Sequence, residues 1–117
     1  CAGCHSLGFP SLKAMVDALD EKGKIQFLAI QTVFEGHHAN TFEKMVELQI
    51  KYKLSIPFGH DPGHVNTRHI SLTMLDYRTG GTPWFIFIDQ ENRVLFNDFH
   101  LDVDKAIFYL EELSNIS

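Results

Sequence analysis

The sequence predicts an α/β fold, because segments with helical spacing alternate with apolar runs that are typical of strands. Two such runs, residues 24–34 and 84–88, are apolar on both faces and are therefore expected inside a covered sheet. With 117 residues, 44% of them hydrophobic, the chain is long enough to bury a core in one domain, residues 1–117.

The N-terminal half is predicted to form two helices around the first of these strands. Residues 6–19 carry apolar side chains on one helical face, and Gly23 is placed to end that helix. After the strand at 24–34, Asn40 with a Glu three positions later indicates the start of a second helix, residues 40–53.

The rest of the chain is predicted to contain a short edge strand, a loop, a weak helix, a β-hairpin and a last helix. In order, these elements are the edge strand 56–59, the loop 61–66, the helix 68–77, the hairpin strands 84–88 and 93–99, and a helix capped by Asp102. The last helix is expected to direct these side chains inward: Val103, Ala106, Ile107, Leu110 and Leu113.

Charge and hydropathy limit the possible partners. The net charge of -5, with acidic and basic residues interspersed, argues against a nucleic-acid partner. No apolar run approaches the roughly 20 residues that span a bilayer, so no membrane segment is expected in this chain. The sequence has neither an initiator Met nor a signal peptide, so we expect it to begin inside a longer gene product. Bacterial cytoplasm and periplasm both remain possible compartments, because a redox cysteine pair works in either.

The chain opens with the motif Cys1-Ala2-Gly3-Cys4-His5, which contains its only two cysteines. A C-x-x-C pair followed by His is a redox disulfide, half of a metal site or a haem attachment point. A zinc site with four thiolates needs a second pair, which the chain lacks. A haem protein of this kind would be mainly helical, with a distal ligand such as Met74, and the two strand-like runs argue against it.

Three further histidines, His60, His64 and His69, surround an Asp-Pro-Gly loop and raise the alternative of a metal cluster. Their spacing matches no pattern with a clear ligand geometry, and neighbouring solvent-facing histidines are the commoner case. We therefore expect no metal site and no cofactor beyond the dithiol itself.

The cysteine motif at a helix start, the buried strand after it and Gly81-Thr82-Pro83 at the opening of a hairpin together resemble the thioredoxin fold. The segment between strand and hairpin is longer than in a minimal thioredoxin, and in this the chain is similar to the TlpA-like redoxins, relatives of the AhpC/TSA peroxiredoxins. Pro10, six residues after Cys4, and the stretches 32–35 and 80–84 are also similar to one redoxin branch. The resemblance covers nearly the whole chain and implies a three-layer α/β/α sandwich with an insertion before the hairpin.

The resemblance also implies a central strand immediately before the cysteine motif, between the strands 24–34 and 84–88. The sequence starts at Cys1 and does not contain it, so the domain is expected to be N-terminally incomplete. Two strands separated by a missing one lie about 9.5 Å apart, which no backbone hydrogen bond spans. We expect upstream residues to fill this gap or, if the chain truly starts at Cys1, strand exchange or a dimer.

The position of the cysteines predicts their roles. Unpaired N–H groups and the dipole at a helix start stabilise a thiolate, which is the attacking species, so the more exposed Cys1 is the predicted nucleophile. Cys4, one turn later, is placed to attack the mixed disulfide. The resemblance implies that the Thr82–Pro83 bond is cis and faces the disulfide, with the Thr82 backbone contacting an extended substrate. Trp84 is interpreted as a core residue.

These observations predict a thiol–disulfide oxidoreductase that exchanges with disulfide-containing proteins or small thiols. An upstream reductant is expected to reduce its disulfide again after each cycle. One alternative is a peroxiredoxin-like thiol peroxidase, whose Pro/Thr signature would lie upstream of Cys1. The alternative from another class is a non-catalytic metal- or haem-binding redoxin-like protein.

Overall fold

The computed structural model describes residues 1–19 and 24–116, whose elements follow the predicted α/β order. Gly23, the predicted end of the first helix, lies outside the described residues. In chain order the elements are a π-helical turn Cys4–Gly8, helix α1 Phe9–Leu19, strand β1 Ala29–Thr32, helix α2 Phe42–Lys51, strand β2 Phe58–Asp61, a 3₁₀ turn Val65–Thr67, helix α3 Leu72–Tyr77, strands β3 Phe85–Ile88 and β4 Val94–Asp98, and helix α4 Val103–Ile116. None of the helices within these residues has the length and apolar character needed to cross a membrane.

The chain divides into two compact units. We call Cys1–Phe27 with Thr79–Ser117 the cysteine unit, and Leu28–Arg78 the central unit. All the predicted site residues fall in the cysteine unit, and the predicted histidine cluster falls in the central unit. The assignment of residues 1–117 to a single domain stays a prediction.

The cysteine unit has a core formed by its helices and its hairpin. Met15 of α1, Phe85 of β3 and Ala106 of α4 are buried together. Partly buried apolar side chains pack against them, namely Phe27, Phe87, Phe96, Leu101, Val103, Ile107 and Leu110. Of the inward side chains predicted for the last helix, Val103, Ala106, Ile107 and Leu110 thus pack in this core.

The hairpin of the cysteine unit is antiparallel, as predicted. Phe85 pairs with Asp98 at one end of the hairpin. A bulge between Phe87 and Ile88 shifts the register near the turn, so that Ile88 pairs with Val94. Asp89 stabilises the turn, because its carboxylate accepts hydrogen bonds from the Arg93 backbone N–H at 2.9 Å and from the Arg93 side chain. The Arg93 backbone hydrogen bond contributes most to holding the pKa of Asp89 below its usual range, while partial burial of this carboxyl acts in the opposite direction.

In the central unit, β1 and β2 pair in parallel, with Ala29 opposite Phe58 and Thr32 opposite Asp61. The strand predicted over 24–34 is therefore much shorter, and the edge strand lies two residues later than predicted. Pro57 explains the near end of the ladder, since its carbonyl accepts from Ala29 at 3.1 Å but it has no N–H to continue the pairing.

Two predicted helix starts are wrong by a few residues. The second helix begins after Thr41 rather than Asn40, because the Thr41 hydroxyl accepts a hydrogen bond from the Lys44 N–H at 3.2 Å. The helix predicted over 68–77 begins only after Ser71. Arg68 and His69 have φ values of 55° and 59°, a left-handed conformation that interrupts any helix.

The described strands form two separate two-stranded sheets, β1–β2 and β3–β4. The α/β class therefore holds, with each sheet smaller than a continuous central sheet would be.

Candidate active site

Cys1 and Cys4 form a disulfide at the start of the first helical segment. Their Cα atoms are 5.2 Å apart, within the range that a disulfide bridges without backbone movement. Cys1 is exposed and Cys4 is half-buried. The order of exposure predicted from the sequence is thus present in the structure.

A backbone donor points at the outer sulfur. The Cys4 N–H lies 3.0 Å from the Cys1 Sγ, and Gly3 between them has helical angles, φ -64° and ψ -30°. A hydrogen bond from an N–H group stabilises a negatively charged sulfur more than a neutral one. If the turn keeps this geometry after reduction, the donor favours the thiolate form of Cys1.

The turn that carries the cysteines is wider than an α-helix. The Phe9 N–H donates to the Cys4 carbonyl, five residues back, so the segment Cys4–Gly8 is π-helical. Pro10 accounts for the widening, because it has no N–H for the Ser6 carbonyl and its ring would clash with that carbonyl in a regular helix. The sequence predicted a plain helix from residue 6, so this turn is a correction.

Pro83 is buried against the same turn, and the Thr82–Pro83 peptide bond is cis, the geometry that the resemblance implies. A Cβ atom built on Gly3 would lie 3.2 Å from Pro83 Cδ and 3.8 Å from the Thr82 carbonyl oxygen. A Cβ atom built on Gly8 would lie only 2.8 Å from Pro83 Cβ. The fold therefore brings all the predicted site residues to one place, across a separation of almost eighty positions in the sequence.

Trp84 is not the core residue that the sequence predicted. It is half-buried, its indole N–H donates to Asn97 Oδ1 at 2.6 Å, and its six-membered ring lies over Gly80. An indole needs a partner for its N–H, which favours a position at the edge of a core. Trp84 thus connects strand β4 to the segment that leads into Pro83.

His5 is exposed, and its ring centroid lies 5.9 Å from that of Phe9. This contact is with the helix's own next turn, as expected for an ordinary polar residue in the first turn. His5 therefore lies beside the cysteine motif with its ring near Phe9.

The histidines of the central unit have separate partners. His60 Nδ1 is 3.1 Å from Gln31 Nε2, and the His64 ring caps the 3₁₀ turn by accepting from the Asn66 N–H at 3.2 Å. The His69 carbonyl accepts from His37 Nε2 at 2.7 Å. Within residues 1–19 and 24–116, no group of three or more His, Cys, Asp or Glu side chains is arranged to hold a metal ion.

Asp61 has a structural role and lies at the end of a strand, although its sequence context predicts a loop. It is the last residue of β2, and its carboxylate accepts hydrogen bonds from Ser71 Oγ and the Thr73 N–H, both at 2.6 Å. Burial raises the pKa of Asp61, but the hydrogen bonds from Ser71, Thr73 and the Leu72 backbone together outweigh it and hold the pKa well below its usual range. Ser71 itself is fully buried, so the carboxylate with this strongly lowered pKa stabilises the packing of the central unit.

Comparison with solved structures identifies the fold. A thioredoxin-like superfamily protein superposes with a TM-score of 0.83 at 28% sequence identity. A thiol-disulfide isomerase from Corynebacterium glutamicum superposes with a TM-score of 0.85 at 27% identity. Both alignments cover 97% of this chain and 73% of the other. The chain has a thioredoxin-like fold.

This fold confirms the predicted α/β class and the arrangement of the cysteine motif and the hairpin around one core. No protein-family model matches the sequence, and no curated protein matches it either. The narrower placement among TlpA-like redoxins, relatives of the AhpC/TSA peroxiredoxins, therefore stays a prediction.

Proposed function

We propose that this thioredoxin-like protein is a thiol–disulfide oxidoreductase, with Cys1 and Cys4 as its exchanging pair. The observation that carries the proposal is the Cys1–Cys4 disulfide at a helix start, with the exposed cysteine receiving a backbone hydrogen bond. The similarity to a thiol-disulfide isomerase over nearly the whole chain supports the same reaction class. The proposed substrates are disulfides in proteins or in small molecules.

The reduced protein begins the reaction with the Cys1 thiolate. It attacks one sulfur of the substrate disulfide, the substrate S–S bond breaks, and the other substrate sulfur leaves as a thiolate that takes up a proton. Cys4 then attacks Cys1 in the mixed disulfide and displaces the second substrate thiol. Two electrons have passed to the substrate, and the Cys1–Cys4 disulfide remains to be reduced by an upstream dithiol.

Thr82 and Pro83 are proposed as the substrate contacts. Pro83 is packed against Gly3 and Gly8 beside the cysteines, and the Thr82 carbonyl oxygen lies on the Gly3 side of this contact. An extended substrate segment pairs with backbone groups in the way that a strand pairs with a sheet edge. Such pairing at Thr82 would bring the substrate disulfide close to Cys1.

The test compares Cys1→Ser and Cys4→Ser with the wild type, using insulin as the disulfide substrate and dithiothreitol as the reductant. Cys1→Ser should lose the reductase activity completely, because a hydroxyl does not replace the thiolate. Cys4→Ser, reduced beforehand and then freed of dithiothreitol, should still attack but should accumulate a covalent complex with insulin, visible by mass and released when excess reductant is added.

Hydrogen peroxide serves as the competing substrate in the same assay. We expect peroxide turnover to be much slower than disulfide exchange in the wild type. Full turnover of insulin by Cys4→Ser would contradict the two-cysteine mechanism. Faster turnover of peroxide than of insulin would instead identify a thiol peroxidase.

A further inference from the structure

Gly8 has no backbone reason to be glycine. It lies in the helical turn after Cys4, and its φ is outside the left-handed range, so any L-residue fits its backbone. Helix propensity alone favours alanine at such a position. The constraint comes from Pro83, because a Cβ atom on Gly8 would lie 2.8 Å from Pro83 Cβ and 3.3 Å from Pro83 Cγ.

Gly3 repeats this arrangement on the other side of Cys4. Its backbone is helical, and a Cβ atom on it would lie 3.2 Å from Pro83 Cδ. The Pro83 ring thus occupies space that two side chains would otherwise fill, one before and one after Cys4. Because Pro83 is itself buried, an added methyl group meets a ring that has little room to retreat.

We propose that Gly8 is a positioning residue, whose missing side chain sets how closely the Thr82–Pro83 segment lies against the Cys1–Cys4 turn. Through that spacing Gly8 controls the affinity for the substrate, whereas the reactivity of the two cysteines depends on the turn that carries them. This inference rests on the proposed role of Thr82 and Pro83 as substrate contacts. Gly3 makes the same contribution in a weaker form.

The primary test is Gly8→Ala in steady-state reduction of insulin. A displaced Thr82–Pro83 segment should raise KM by roughly tenfold and change kcat by less than about twofold, since misplacement acts on substrate positioning. Gly59→Ala in β2 is the matched control, because its Cβ would lie 3.9 Å from Ile30, an ordinary contact, and its kinetics should not change. An unchanged KM in Gly8→Ala would overturn the proposal.

A second measurement asks whether the effect passes through Pro83. Trp84 is the only tryptophan and follows Pro83 directly, so its fluorescence reports on this segment without any substrate. Gly8→Ala should shift the emission in the wild-type background and should add no further shift in a Pro83→Gly background, where the opposing Cβ and ring are gone. An equal shift in both backgrounds would show that Gly8 acts elsewhere.

The two proposals fail in distinguishable ways. If wild-type protein does not reduce insulin, the proposed function fails. The Trp84 emission still tests the spacing between Gly8 and Pro83 in that case. An unshifted emission in Gly8→Ala would then overturn the positioning role of Gly8. If Gly8→Ala does not fold, Gly3→Ala takes its place, with an expected rise in KM of roughly threefold. An unchanged KM in Gly3→Ala would then count against the proposal.

Discussion

Gly63 occupies a position where both its own conformation and the neighbouring backbone exclude a side chain. Its φ of +80° is unfavourable for an L-residue, and a Cβ atom would lie 2.5 Å from the Ile70 carbonyl oxygen and 2.6 Å from the His69 carbonyl carbon. These contacts are with main-chain atoms, which do not swing aside as a long side chain does. The Asp-Pro-Gly sequence therefore packs against residues 69–70 rather than forming an open loop.

Gly63→Ala should destabilise the protein by about 3 kcal/mol, since left-handed strain and a backbone clash add together. Gly36→Ala is the matched control, because Gly36 has a similar φ of +61° but its Cβ would meet only the Asn40 side-chain amide. The control should cost about 1–2 kcal/mol from strain alone. Equal losses in the two variants, measured by urea unfolding, would show that the clash at Gly63 is relieved without cost.

At the scale of elements, Asp61 joins the end of β2 to the beginning of α3. Its two oxygens accept from the Ser71 hydroxyl and from the N–H groups of Leu72 and Thr73, which are unpaired donors of the first helical turn. A further bond comes from the Gly63 N–H at 3.2 Å. Four donors on one carboxylate explain why the helix starts where it does, although its own sequence pattern is weak.

Asp61→Asn should lower the stability near neutral pH, because the amide N–H₂ would face donors in place of an acceptor. The folded pKa of Asp61 is lowered relative to the unfolded chain, so its stabilisation is present above the unfolded pKa and is lost as pH falls. The difference between wild type and variant should therefore shrink below about pH 4.

Chemical unfolding at several pH values measures this difference. Asp76→Asn, an exposed carboxylate on the same helix, is the control and should change stability by less than about 0.5 kcal/mol. A difference for Asp61→Asn that stays constant down to pH 2 would contradict the assignment of the low pKa to this carboxylate.

At the scale of the whole molecule, the fold determines which chemistry the cysteine motif serves. A haem protein built on C-x-x-C-H is mainly helical, whereas this chain places its motif in a thioredoxin-like fold with two short sheets. Purified protein should show no Soret band and no stoichiometric zinc, copper or iron by elemental analysis. A covalently attached haem, seen as an increase in mass, would overturn the proposed oxidoreductase.

Much of the fold was predictable because its signals are local. The hairpin, the α4 cap at Asp102 and the cysteine motif are each encoded within a few consecutive residues, and the structure contains all of them. Element ends were less accurate, since they depend on single hydrogen bonds such as those of Thr41 and Ser71. The cis geometry at Pro83 came from resemblance, because sequence alone gives X–Pro bonds no such preference.

The sequence by itself determined the alternation of helices and strands and the position of two cysteines at a helix start, because periodicity and short spacing act within one element. The tertiary structure alone decided the contacts between separate segments. These are the packing of Pro83 against Gly3 and Gly8, the hydrogen bond from Trp84 to Asn97, and the hydrogen bond from Ser71 to Asp61. Each of these depends on how elements pack, and packing brings together residues whose separation along the chain carries no local signal.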